Sequence, residues 1–251
     1  MREPPAGLVQ ALNDSQATLE ATLAAGEGWK VRLKERAGAL VVTSRAGPKS
    51  GPVIVRGALR VSLPAVGADG EADSELARRV FEEYVLYERR VVWDAGIASQ
   101  TQIRAYADGQ HSVNAYEVHG AAGGLVQARY FVEARRTLCA EGQSPPYTNV
   151  CVDWTLDDAE AMATLPKGGK KHIRGRNLPG SGLVMRRADG RTDGRATFEI
   201  SMVGCSDLGG WLPASVTDRA TYGAYRDILL GGVEALKGVG VDVRLEPAPG
   251  A

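Results

Sequence analysis

Few residues of this sequence combine the side-chain types and the spacing that catalysis or metal binding requires. Two of its three histidines, His111 and His119, fall on one predicted strand. Their separation there is about 27 Å, too far to share a metal ion. The Ser206–Asp207 pair lacks the spacing of a nucleophile elbow, and no phosphate-binding loop or dinucleotide fingerprint occurs. We therefore predict no catalytic residue, no metal and no cofactor.

The sequence instead offers apolar surface near its end. In a predicted helix, one stripe at helical spacing comprises Tyr222, Tyr225, Leu229, Val233 and Leu236. In the predicted strand before that helix, the alternate positions of one face are Phe198, Ile200 and Met202, and those of the other face are Glu199, Ser201 and Val203. The first face is the more apolar and should face the interior. The stripe and this face could line an apolar cavity or simply pack on each other, and both interpretations stay open at this point.

The order of the predicted elements favours an α+β fold with a mainly antiparallel sheet. Helical spacing predicts a first helix over 8–25, Ser74 can cap a second helix, and a final helix runs from about Leu212 to Leu236. Residues 66–73 are predicted as a loop. The predicted strands are Trp29–Leu33, Ala39–Ser44, Pro52–Leu63, Gln102–Ala107, Ser112–His119, Arg129–Cys139, Asn149–Leu156, Lys171–Arg176 with Gly182–Arg187, and Ala196–Cys205.

Composition narrows the class of protein. The 251 residues are 44% hydrophobic and 24% charged, as in soluble globular proteins. Thirty basic and thirty acidic residues cancel, which argues against nucleic acid as the main partner. The sequence has no apolar run of the roughly 20 residues that span a bilayer, and its first residues have no signal-peptide pattern. We expect a cytoplasmic monomer forming one domain over 1–251, with the reduced thiols Cys139, Cys151 and Cys205.

Three segments, in this order, resemble START domains, the StAR-related lipid-transfer family. They are YERRVVWDAG at Tyr87–Gly96, HGAAGGLVQARYFVEARR at His119–Arg136, and DLGGWLP at Asp207–Pro213. The resemblance covers about residues 8–237. It implies the helix-grip fold, in which a curved antiparallel sheet wraps around a long C-terminal helix, with a further helix at the N-terminus. It also implies a lipid-binding or lipid-transport function, in which one lipid is enclosed in an apolar cavity.

The same resemblance implies a polar anchor inside the cavity, formed by an arginine and an acid on neighbouring strands. Arg135 matches the arginine, whereas the acid aligns with either Tyr116 or Glu117. Adjacent strand residues face opposite sides, so only one of these two can point inward. If Tyr116 does, Arg135 needs another partner. The predicted lipid-binding residues are Tyr116, Glu117, Arg135, Phe198, Ile200, Met202, Tyr222, Tyr225 and Leu229.

A lid and a membrane contact are also implied. In START domains a glycine-rich loop and the terminal helix open at a membrane surface for lipid exchange. The matching residues are Gly123, Gly124, Leu125, Val126 and Trp211. Met202 stands where some lipid-transfer relatives have an aromatic residue on the final strand, which weakens the transfer of any particular lipid specificity.

The leading hypothesis is therefore a non-catalytic carrier of one lipid, a sterol or a phospholipid. One alternative is a helix-grip hydrolase or cyclase, for which Glu117 or His119 would have to serve as an inward-facing base. Another alternative is a scaffold module in which lipid binding controls a partner protein.

Overall fold

A large antiparallel sheet is the scaffold of the computed structural model, which describes residues 1–47, 51–66, 71–72, 74–120, 127–139, 142, 144–156, 173–192, 194–209 and 214–247. The strands are β1 (Lys30–Glu35), β2 (Leu40–Arg45), β3 (Ile54–Val66), β4 (Glu71–Ala72), β5 (Ile97–Ala105), β6 (His111–Val118), β7 (Arg129–Leu138), β8 (Tyr147–Asp153), β9 (Ile173–Arg174), β10 (Arg176–Asn177), β11 (Ser181–Thr192), β12 (Arg195–Asp207) and β13 (Arg244–Leu245). Their main spatial order is β1-β2-β3-β12-β11-β8-β7-β6-β5.

Helices cover both faces of this sheet. They are α1 (Ala6–Ala24), α2 (Ser74–Val85), α3 (Tyr87–Trp93) and α4 (Ala214–Gly238). The face under α1, called here the outer face, carries small and β-branched residues such as Val113, Ala115, Val132 and Ala134, which pack against the helix. The opposite, inner face packs against α2 and α4. The sheet thus has two apolar cores, one on each side.

Strand alternation assigns each side chain to a face. On β12, Phe198, Ile200 and Met202 lie on the inner face, because they join the core beneath α2 and α4. Glu199 and Ser201 lie on the outer face, where both bind Arg56. The inner face of β12 is therefore the apolar one, as its sequence pattern predicts.

Two glycines let α4 lie close to the inner face. A Cβ at Gly204 would lie 1.8 Å from the hydroxyl oxygen of Tyr225. A Cβ at Gly57 would lie 2.7 Å from a Leu229 methyl carbon. Both distances are impossible for real atoms, so glycine at these sites gives the Tyr225 ring its place between the helix and the sheet.

The α+β class and the helix-grip arrangement predicted from the sequence are confirmed. The final helix begins at Ala214 and ends at Gly238, close to its predicted bounds. The sequence analysis missed the short helix α3 and the two-residue strands β4 and β13. These short elements carry too few residues for a periodic pattern to emerge.

Gly232 offers a test of how tightly α4 packs on α2. Alanine normally stabilises a helix interior by about 1 kcal/mol relative to glycine. A Cβ at Gly232, however, would lie 2.4 Å from the buried Tyr84 ring, whose hydroxyl donates to the Leu229 carbonyl at 2.8 Å. We expect Gly232→Ala to lower the free energy of unfolding by about 1–3 kcal/mol in urea denaturation.

Gly223 on the same helix is the matched control, because a Cβ there would meet nothing within 4 Å. We expect Gly223→Ala to raise the free energy of unfolding by up to about 1 kcal/mol. Equal effects of the two substitutions would contradict the close packing of α4 on α2.

Candidate functional site

A buried ion pair on β7 is the centre of the inner face. Glu133 is 1% exposed and Arg135 is 8% exposed, and both point inward because they are two residues apart on one strand. The Arg135 guanidinium donates to Glu133 Oε1 from Nη2 at 2.7 Å and from Nε at 3.1 Å. It also donates to the Val85 carbonyl at 2.6 Å and lies 4.1 Å from the centre of the Tyr87 ring. Each nitrogen of the guanidinium therefore donates to a protein oxygen.

Neutral polar side chains complete the coordination of Glu133. The Tyr87 hydroxyl donates to Oε1 at 2.9 Å, and the Asn177 amide donates to Oε2 at 2.7 Å. The same amide nitrogen donates to the Tyr116 hydroxyl oxygen at 2.9 Å, and Ser206 donates to the Asn177 carbonyl oxygen at 2.8 Å. We call Tyr87, Tyr116, Glu133, Arg135, Asn177 and Ser206 the polar cluster. A buried carboxylate needs this many donors to offset its lost hydration.

Aromatic packing holds the polar cluster in place. The Tyr116 ring stacks on Phe131 with centroids 4.9 Å apart and lies 5.3 Å from the Tyr87 ring. Gly175, just before β10, lies against Phe131, where a Cβ would come within 2.4 Å of the ring. Glycine here therefore lets β10 approach the sheet closely enough for Asn177 to reach Glu133.

Electrostatics keep the neutral members of the polar cluster neutral. Burial raises the pKa values of the Tyr87 and Tyr116 hydroxyls and of the nearby Cys151 thiol well above their usual ranges. Burial alone would lower the pKa of Arg135, but the neighbouring Tyr87 and Glu133 raise it overall, so the guanidinium stays charged. Glu133 and Arg135 thus supply the charges of the polar cluster, and they cancel.

Beside the polar cluster, several inward-facing residues remain partly accessible. Cys151, Met202, Gly204 and Tyr225 all lie between the sheet and α4, yet each is only half-buried. Each of them therefore keeps surface that a water-sized group can reach. Apolar walls with a polar cluster at one end are the usual composition of a small-molecule site.

The structure resolves the choice between Tyr116 and Glu117. Tyr116 points inward and joins the polar cluster. Glu117 lies on the outer face, where it accepts a hydrogen bond from the Ser99 hydroxyl at 2.8 Å. The acid that pairs with Arg135 is Glu133, which the sequence analysis missed. The spacing of Glu133 and Arg135 could have predicted this pair, because residues two apart on a strand share a face.

The other predicted lipid-binding residues fall into two groups. Phe198, Ile200 and Leu229 are at most 2% exposed, so they form the core behind the site rather than its lining. Met202, Tyr225 and Tyr222 keep accessible surface, and the Tyr222 hydroxyl donates to the Ser44 hydroxyl at 3.3 Å. The predicted lid residues Gly123, Gly124, Leu125, Val126 and Trp211 lie outside the described residues.

Arg129 connects two chain segments at the end of the sheet where β7 begins. Arg129 is 2% exposed, and its guanidinium donates to the main-chain carbonyls of Gln127, Leu208 and Gly209. Burial without a carboxylate partner lowers its pKa. Arg129 thereby joins the residues before β7 to the turn that precedes α4.

The described residues include no group of three metal-ligating side chains. The two candidate bases lie away from the polar cluster, since Glu117 is on the outer face and His119 is exposed after β6. None of the helices in the described ranges has the length and apolar character that crossing a membrane requires.

Solved START structures share this arrangement of sheet and helices. Human StAR-related lipid transfer protein 5 matches with a TM-score of 0.68 and 19% identity, over 92% of this chain and 98% of that one. Human STARD10 matches with a TM-score of 0.57 and 14% identity, over 95% and 85%. A STAR-related lipid transfer protein from Xanthomonas axonopodis matches with a TM-score of 0.55 and 14% identity, over 84% and 99%.

Neither a family model nor a curated protein sequence matches the chain. At the level of structure, the chain has the START helix-grip fold, and the resemblance found in its sequence is confirmed at that level.

The ion pair predicts a specific pattern of stability. Arg135→Met leaves the Glu133 carboxylate buried without its countercharge, and we expect it to lower the free energy of unfolding by about 3–5 kcal/mol. Glu133→Gln should also destabilise strongly, while the double variant should lose much less than the sum. Urea denaturation of the four proteins gives this double-mutant cycle.

The matched control is Glu117→Gln, a carboxylate on the outer face of the neighbouring strand. We expect it to change the free energy of unfolding by less than about 1 kcal/mol. Additive losses for Glu133→Gln and Arg135→Met would show that the two side chains do not depend on each other.

Proposed function

We propose that this protein binds one lipid between the sheet and α4 and carries it between membranes without chemically altering it. The observation that carries the proposal is the half-buried inner surface formed by Met202, Gly204 and Tyr225, which lies next to the polar cluster. The START fold supports the proposal, because the similar solved structures are lipid transfer proteins by name. A sterol or a phospholipid is the proposed ligand.

The energetics of such a site are favourable. Burial of ~400 Å² of lipid surface at about 25 cal/mol per Å² gives on the order of 10 kcal/mol before the costs of association are subtracted. The polar cluster lies at one end of the accessible surface and would orient the polar head. Met202 suits an apolar wall that adapts to its ligand, because its side chain is flexible and polarisable.

Exchange of the ligand requires an opening, and we propose that it occurs at a membrane surface. The proposed moving parts are the loop with Gly123, Gly124, Leu125 and Val126, together with Trp211 before α4. Arg129 supports this proposal, since it binds main-chain carbonyls in both chain segments that lead to the proposed moving parts, at Gln127 and at Leu208. We further propose that the protein is monomeric, resides in the cytoplasm and contacts membranes transiently.

A carrier is favoured over a hydrolase or cyclase by the position of the candidate bases. Glu117 and His119 both lie outside the polar cluster, and Glu133 is engaged by Arg135, Tyr87 and Asn177. A general base must reach the proton that it abstracts, and a carboxylate with every oxygen already hydrogen-bonded is poorly placed for that role. Turnover of a hydrophobic ester by the purified protein would favour the enzyme instead.

Filling the accessible space should abolish lipid binding. We expect Met202→Trp to reduce both the co-purifying lipid, measured by native mass spectrometry, and the transfer of fluorescent sterol or phospholipid between vesicles by about tenfold or more. The control is Val41→Trp, at a half-buried position on the outer face of β2. Unchanged lipid binding by the folded Met202→Trp protein would contradict the proposed site.

Cys151 should report directly on occupancy. Its thiol faces the polar cluster and is half-buried, so a bound lipid would cover it. We expect alkylation of Cys151 to be slow in the emptied protein, to accelerate with pH as the thiolate forms, and to slow at least about tenfold after lipid is added.

Cys139 is an internal control for this measurement. It lies near Arg78 and Glu82, and burial raises its pKa to about 12. Peptide-level mass spectrometry follows both thiols in one sample. Equal protection of Cys139 and Cys151 by lipid would point to a global change in stability and would contradict local coverage.

A further inference from the structure

Two of the described arginines around the inner face are already paired with carboxylates. Arg135 is neutralised by Glu133, and Arg90 is paired with Asp94. The Nε of Arg90 is buried without a hydrogen-bond partner, but the charge of this guanidinium is already paired. Arg129 is 2% exposed, and its guanidinium donates to three main-chain carbonyls. A phosphate or carboxylate placed beside Arg135 or Arg90 would have to break an existing ion pair.

The Tyr116 hydroxyl, by contrast, has a proton to donate. The ionised Glu133 only accepts hydrogen bonds, so the Asn177 group facing it must be the amide nitrogen. That nitrogen also faces Tyr116, whose oxygen therefore accepts at 2.9 Å. The Asn177 carbonyl oxygen is occupied by Ser206. Among the described residues, nothing accepts the Tyr116 proton.

Tyr225 presents a second unused hydroxyl. Its ring lies between Gly57 and Gly204, and its hydroxyl has no hydrogen-bond partner within the described ranges of the chain. The Tyr225 hydroxyl lies over Gly204, and Ser206, two residues further along the same face of β12, hydrogen-bonds to the Asn177 side chain that also contacts Tyr116. The two hydroxyls therefore flank one region of the inner face. Burial raises the pKa values of both hydroxyls, so both keep their protons and can donate them.

We infer that the ligand is a lipid with an uncharged head, whose hydroxyl or carbonyl oxygen accepts hydrogen bonds from Tyr116 and Tyr225. This inference rests on the proposed lipid-binding function and narrows it to sterols, diacylglycerols and similar neutral lipids, rather than phospholipids. The ion pair then positions Tyr116, through Asn177, and does not contact the ligand. Two hydroxyls without an acceptor among the described residues suit an oxygen acceptor, while the existing ion pairs of Arg135 and Arg90 disfavour an anion.

Matched lipids that differ only in the head test this inference on the delipidated full-length chain. The first pair is cholesterol and cholesteryl sulfate. The second set shares one diacyl body and comprises diacylglycerol, phosphatidylcholine and phosphatidic acid. In each set whose members bind, we expect the neutral lipid to bind at least tenfold more tightly than its charged counterparts, measured by competition for a bound fluorescent sterol and by native mass spectrometry.

Two hydroxyl deletions test the assigned contacts. Tyr116→Phe and Tyr225→Phe keep the rings and should each weaken binding of the neutral lipid about two- to tenfold. Tyr130→Phe removes a hydroxyl from the outer face of β7 and should leave the affinity unchanged. Equal affinities of both tyrosine variants and the parent protein would overturn the assigned contacts.

The outcomes separate this inference from the proposed function. If phosphatidylcholine, phosphatidic acid or cholesteryl sulfate binds as tightly as its neutral counterpart, the uncharged-head inference is overturned while lipid binding stands. If the folded chain binds none of the five lipids, both the inference and the proposed function fail.

Discussion

The buried pairing of Glu133 with Arg135 is the constraint on which the inner face depends. Each charge is tolerable in the protein interior only because the other lies 2.7 Å away and because Tyr87, Asn177 and the Val85 carbonyl supply further hydrogen bonds. Those partners come from α2, α3 and β10, so one ion pair on β7 determines how three other elements must meet the sheet. In consequence, the groups that hydrogen-bond to the pair are not available to bind a ligand.

Glycines make room for a side chain of α4 on the same face. The space between a sheet and a long helix is normally filled by side chains, as it is around Phe198, Ile200 and Leu229. At Gly57 and Gly204 the missing side chains instead admit an aromatic ring from α4. The inner face is thus densely packed where the strands carry large side chains, and it is partly accessible where they carry glycine.

The architecture could be predicted from sequence because it rests on long periodic elements and on three motif segments in a recognisable order. It was harder to predict which face of the sheet each side chain occupies and which partner it contacts. Because the alignment was uncertain by one residue, either Tyr116 or Glu117 could match the acid of the family, although the two face opposite sides of β6. Glu133 was missed because the family resemblance implies an acid on the neighbouring strand, whereas Glu133 and Arg135 lie two residues apart on the same strand. Asn177 could not be anticipated, since β10 has only two residues and reaches Glu133 through the close approach that Gly175 permits.

Arg129 binds only main-chain oxygens, at Gln127, Leu208 and Gly209. Every amino acid presents the same carbonyl group, so the anchoring is indifferent to which side chains occupy these positions. Evolution or a protein engineer could therefore exchange the side chains of the joined segments, and with them the chemistry of their surface, without redesigning the connection itself. A single arginine would serve many alternative loop sequences.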